Sequence, residues 1–148
     1  MTAYLSTELG GSANQTAAPV GYKPKATVYG ARLKRLRATV TLNSQSTSDT
    51  LVLGNLPSGS VFAYGVLTSS VSLGSSTLAI GPAASTGKYR TAATFTSTDT
   101  PTMFGNTAAV SAADTGSTAD EQVIGTIASA ALPASGTLVV DLYYSSPN

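Results

Sequence analysis

Histidine, cysteine and tryptophan are absent from this chain of 148 residues. Without cysteine there is no disulfide, no thiolate nucleophile and no thiolate zinc site, and nothing marks a redox compartment. Without histidine the commonest metal ligand and the commonest general base near neutral pH are missing. Charge is scarce as well: Asp, Glu, Lys and Arg make up 10% of the residues, against about 25% in an ordinary globular domain. No apolar run approaches the ~20 residues that would span a bilayer. The opening Met1-Thr2-Ala3-Tyr4-Leu5-Ser6-Thr7-Glu8 lacks the basic and apolar segments of a secretory signal, so the expectation is a chain made and used in solution.

What fills the sequence instead is small and hydroxylated. Ser (20) and Thr (22) account for 42 residues, and Ala for 22 more. Hydrophobic residues are 42% and mean hydropathy is +0.14, which excludes a charge-solvated disordered chain. A protein of 14.8 kDa folds to roughly 7,000 Å² of surface from about 21,000 Å² extended. That suffices for one domain with a real core and a surface wetted by hydroxyls.

Residues 1–22 carry few anchors (Tyr4, Leu5, Leu9, Val20) and show no period of 2 or 3.6; they predict an extended N-terminal arm, with the domain boundary at 25/26. From Ala26 the chain consists of short β-branched or apolar runs broken by Gly, Pro, Asn and Ser. This is the pattern of an all-β, antiparallel sandwich or barrel. The runs predict eight strands at 26–30, 32–42, 50–54, 60–68, 76–80, 89–96, 121–128 and 136–144, a jelly-roll-like β-sandwich over 26–148. Leu33, Leu36 and Val40 also fit a helical spacing, but Leu36, Ala38, Val40 and Leu42 alternate with Arg35, Arg37, Thr39 and Thr41. A strand with a bulge near Lys34 would turn Leu33 to the core and every basic side chain away. The Ala-rich stretch 107–120 has room for one short helix.

Motifs for chemistry fail on spacing. Gly81-Pro82-Ala83-Ala84-Ser85-Thr86-Gly87-Lys88 has five residues between its glycines and Tyr89 after the Lys. A phosphate loop needs four and a hydroxyl, so a plain hairpin loop is the better reading. Ser85-Thr86-Gly87-Lys88 matches Ser-x-x-Lys but lacks the helix and the partner motifs that this chemistry requires. Asp120 and Glu121 are the only adjacent carboxylates; on a strand they face opposite ways, which suits solvated charges better than an acid–base pair. No loop alternates enough oxygens for calcium. The expectation is no catalytic residue, no metal, no cofactor and no enzyme.

One local feature asks for a partner. Six of the eight basic residues (Lys23, Lys25, Arg32, Lys34, Arg35, Arg37) fall between positions 23 and 37. Such a stripe can guard an exposed edge strand against aggregation, or face an acidic protein surface. It can also face nucleic acid, a weaker reading because only Tyr22 and Tyr29 are interleaved with it.

Several stretches together resemble a known family. They are Asp49-Thr50-Leu51-Val52-Leu53-Gly54-Asn55-Leu56-Pro57-Ser58-Gly59-Ser60-Val61, Leu78-Ala79-Ile80-Gly81, Lys88-Tyr89-Arg90, Phe104-Gly105-Asn106 and Leu132-Pro133-Ala134-Ser135-Gly136-Thr137-Leu138-Val139-Val140, ahead of Tyr143-Tyr144. This rhythm is similar to the small virion proteins of tailed bacteriophages that decorate or cement the head. The resemblance spans most of residues 30–145 and rests on strands and turns, not on a catalytic signature. It implies a homotrimeric jelly roll without an active site or small-molecule substrate, made in the host cytoplasm and placed on the outer surface of the capsid. Its partner would be the major capsid protein, whose neighbouring subunits it would clamp. Here the grip would come from the arm and the stripe: Tyr4, Leu5, Leu9, Tyr22, Lys23, Lys25, Arg32, Lys34, Arg35 and Arg37. A head-fibre base, a tail protein or a carbohydrate-binding sandwich on a host surface remain the alternatives.

Overall fold

The computed structural model describes residues 31–105 and 116–146. The described chain forms eight strands: β1 (Leu33–Thr41), β2 (Thr50–Leu56), β3 (Val61–Ser69), β4 (Thr77–Gly81), β5 (Arg90–Thr94), β6 (Thr102–Gly105), β7 (Glu121–Ala128) and β8 (Thr137–Ser145). They make two four-stranded sheets, β1-β8-β3-β6 and β2-β7-β4-β5, with every strand pair antiparallel. The chain crosses repeatedly between the sheets, and β8 returns between β1 and β3. That is the Greek-key connectivity of a jelly roll.

Period-2 alternation decides which side chains meet between the sheets. Leu67 of β3 and Leu138, Val140 and Leu142 of β8 face Leu51, Leu53, Leu78, Ile80, Val123 and Ile127 of the second sheet. Each is at most 7% exposed. Loop residues Leu42, Leu73, Phe95 and Leu132 close the core at one end. There the backbone is tied across loops, Leu132 N–H donating to Gln45 O (2.9 Å) and Leu73 N–H to Phe95 O (2.8 Å).

Seven of the eight expected strands are at or near their expected places, and three corrections follow. The expected bulge at Lys34 is absent: β1 runs in unbroken register with β8 from Leu33↔Ser145 to Thr41↔Thr137. Leu33 therefore shares the outward face with Arg35 and Arg37 and is 54% exposed, while Lys34 falls on the face of Leu36 and Ala38. Continuous pairing to a nine-residue partner leaves no room for an extra residue. Second, β6 was not expected. Its Thr-Met-Phe-Gly is too short for alternation to register, and pairing with β3 makes it a strand. Third, residues 116–120 are not helical. The expected strand 26–30, the domain boundary at 25/26 and the rest of the possible helix lie outside the described residues.

Candidate partner-binding face

Among the described residues β1 pairs only with β8, so the part of the basic segment that lies in β1 is on an edge strand of the described sheet. Register places its side chains on a lattice across the outer face of the β1-β8-β3-β6 sheet. One row reads Arg35–Tyr143–Tyr64–Gly105, and the next reads Arg37–Asp141–Val66–Met103. Leu33 lies before them and Thr39, Val139 and Thr68 after them.

The two rows have different chemistry. Tyr64 and Tyr143 stack at 4.6 Å between centroids and 18° between planes, which lets each half-buried ring cover the other. In the neighbouring row Arg37 grips Asp141 with both arms, Nε to Oδ1 at 2.8 Å and Nη2 to Oδ2 at 2.7 Å. The hydrogen bonds and charge of Arg37 hold the Asp141 carboxyl below the usual carboxylate range, and Asp141 in turn holds the guanidinium above its own. Arg35 Nε lies 3.9 Å from the same carboxylate, too far for a hydrogen bond. Two guanidinium groups thus share one carboxylate whose oxygens are both taken by Arg37. The three side chains together keep one net positive charge, and Arg35 carries it in the row of the aromatic pair.

The cations of the second sheet are committed to the fold. Lys88 Nζ is 2.6 Å from Glu121 Oε2, and the Tyr89 hydroxyl donates to Glu121 Oε1. Glu121 is therefore a tether between the 82–89 loop and β7, which corrects its reading as a solvated charge; alternation points it inward. Asp120, facing the other way, accepts from the Ser58 N–H at 2.8 Å. Arg90 donates to the carbonyls of Leu78, Ala93 and Thr94, and its burial lowers its pKa. The 81–88 segment is a tight hairpin loop, with Ser85 N–H bonded to Pro82 O and Lys88 N–H to Ser85 O.

Of the ten expected contact residues, Arg32, Lys34, Arg35 and Arg37 lie at or in β1, all exposed. Tyr4, Leu5, Leu9, Tyr22, Lys23 and Lys25 lie outside the described residues. The structure adds members that sequence reasoning missed: Tyr64, Val66, Met103 and Tyr143. Tyr143 and Tyr64 stand 79 residues apart, so only strand pairing could bring them together. Among the described residues no group of three metal-ligating side chains occurs, and no helix is long and apolar enough to cross a membrane.

No protein-family model matches the sequence, and no curated protein matches it. Solved structures do. A chain of the cyanophage Pam1 capsid asymmetric unit superposes with a TM-score of 0.65 at 22% identity, over 92% of this chain and 96% of that one. A chain of the Ralstonia phage GP4 capsid gives 0.61 at 18%, over 88% and 92%. A chain of the Helicobacter pylori bacteriophage KHP30 capsid gives 0.58 at 14%, over 78% and 89%. The fold is shared with chains of phage capsids. The match runs nearly end to end in both directions for the first two.

Proposed function

We propose that this protein is a structural component of a bacteriophage virion that decorates the capsid, binding between major capsid protein subunits and cementing them. The single observation that carries this reading is the nearly full-length likeness to chains in the Pam1 and GP4 capsid structures. The reading adds no catalytic step and no cofactor. Binding energy would be spread over contact area, and a surface of hydroxyls and methyls is cheaper to desolvate than one of ions. Residues 1–25 would act as an arm reaching a neighbouring subunit, since about 20 extended residues cover roughly 60–70 Å. A homotrimer on the outer surface would engage several subunits at once and multiply effective affinity without one tight contact.

The test uses heads of the encoding phage prepared without this chain. Purified protein should bind them saturably, and loaded heads should survive heating that bursts bare ones. Particles that lack the chain when mature, or heads that neither bind it nor gain stability, would overturn the reading. Recovery of the chain with detached tails instead of heads would point to the tail alternative.

A further inference from the structure

Among the described residues, the outer face of the β1-β8-β3-β6 sheet is the broad surface on which apolar side chains and uncompensated charge are adjacent. Met103 is 72% exposed and Leu33 54%, the half-buried Tyr64, Tyr143 and Val66 lie between them in register, and Val139 follows in the next row. A monomer seldom keeps such a face free of any partner. The opposite sheet differs: of its outward residues only Val52 (61% exposed) is a large exposed hydrophobic group. Arg90 is the one Lys or Arg in its strands, and that side chain is spent on backbone carbonyls.

We infer that this outer face is the docking surface for a protein partner that presents a carboxylate to Arg35 and apolar side chains to Tyr64, Val66 and Met103. The charge arrangement selects that occupant. Asp141 is only 7% exposed and accepts from Arg37 through both oxygens, so this face presents little carboxylate to an incoming cation or a sugar diol. Arg35, 3.9 Å from that same carboxylate, has guanidinium donors to offer a second acid. Carboxylate recognition by a planar guanidinium is directional and strengthens once water is excluded. The stacked tyrosines beside it supply rigid apolar area at small entropic cost, as aromatic anchors do at interface centres. The inference rests on the capsid-binding reading, in which the partner is the outer surface of the shell, and it names the face that touches it.

The absence of cysteine makes the test direct, because any introduced thiol is unique. Met103→Cys places one on the proposed face, and Val52→Cys places one on the opposite sheet. Each variant is bound to heads prepared without the wild-type chain, and maleimide labelling rates are compared free and bound. The expected result is at least tenfold slower labelling at position 103 and an unchanged rate at position 52. Bound protein with position 103 still reactive would overturn the proposed face while leaving capsid binding intact. No binding at all would overturn both.

Arg35→Glu and, separately, Met103→Glu should each weaken head binding by on the order of tenfold with the melting temperature unchanged. The Arg35 variant should also lose most of the salt dependence shown by wild type. Salt dependence equal to wild type in Arg35→Glu would remove the carboxylate from the proposal. Two further results would replace the occupant. If the Met103→Cys thiol labels slowly in free protein, and deleting residues 1–30 relieves this, the chain covers its own face. Competition of head binding by free oligosaccharides would mean a sugar site.

Discussion

Gly65 sits on β3 directly opposite Phe104 of β6, and the phenyl ring occupies the space where a Cβ would stand. A methyl group there forces the ring, half-buried over the core, to move. Gly65→Ala should destabilise the protein by about 1–3 kcal/mol, the usual cost of overpacking. In a Phe104→Ala background the same change should cost far less. Equal costs in the two backgrounds, read by denaturant titration, would show that the ring is not the obstacle. Asp141 gives a second prediction at this scale. Hydrogen bonds from Arg37 hold its folded pKa below its unfolded value, which is about 3.9. Its contribution to stability is therefore present above about pH 4 and is lost as pH falls through the lower folded value. Melting temperature should drop on acidification below pH ~4 in wild type, and Asp141→Asn should show a shallower acid limb. An identical limb in the variant would assign acid unfolding to other carboxylates.

At the scale of elements, the β4–β5 hairpin is fastened to β7 through one carboxylate. Tyr89 is 3% exposed, packs on Phe62 with ring centroids 4.1 Å apart and donates its hydroxyl to Glu121. Burial first, and then the hydrogen bond and charge of Glu121, push the phenol above its ordinary range. A phenol raised in the folded state contributes stability that is complete below its unfolded pKa of about 10 and fades as pH rises toward the folded value. Tyr89→Phe should cost about 1–2 kcal/mol at pH 7 and flatten the loss of stability above pH 10. A Phe variant as stable as wild type, or one with the same alkaline limb, would mean the hydroxyl contributes nothing. The elements also show why some strands were legible and others not. The long apolar run of β8 and the clean alternation of the Leu36–Leu42 half of β1 declare themselves. The four residues of β6 have no pattern of their own and exist as a strand because β3 offers them an edge.

At the scale of the whole molecule, the described bases outside mid-strand gather at one end of the sandwich. One end carries the loops 42–49, 70–76, 95–101 and 129–136, with Asp49 and Asp99 and no described base. The other carries the start of β1 with Arg32 and Lys34, the 82–89 loop with Lys88 paired to Glu121, Asp120 before β7, and residue 31, where the preceding chain joins. The chain that precedes residue 31 thus joins at the end where these bases lie. Deleting residues 1–22 should leave a protein with an unchanged melting transition that no longer binds heads; undiminished binding would take the arm out of the mechanism. Light scattering of the intact protein should give about three times 14.8 kDa. A monomer mass would overturn a trimer in free solution and leave assembly to the capsid surface.

The sequence by itself determined the all-β class, most strand positions and the poverty of catalytic groups. Those depend on local alternation, on turn residues such as Pro57-Ser58-Gly59 and Pro133-Ala134-Ser135-Gly136, and on composition. It also singled out the basic segment, because clustering in the chain is visible without a fold. Tertiary structure decided the rest. Whether Leu33 faces the core turns on a register with β8 more than 100 residues away. The same strand pairing neutralises Arg37 with Asp141, leaves Arg35 the outward charge and assembles Tyr64, Tyr143, Val66 and Met103 into one face. Side-chain period is local, whereas the identity of a cross-strand neighbour is set by long-range pairing, and a candidate interface is made of such neighbours.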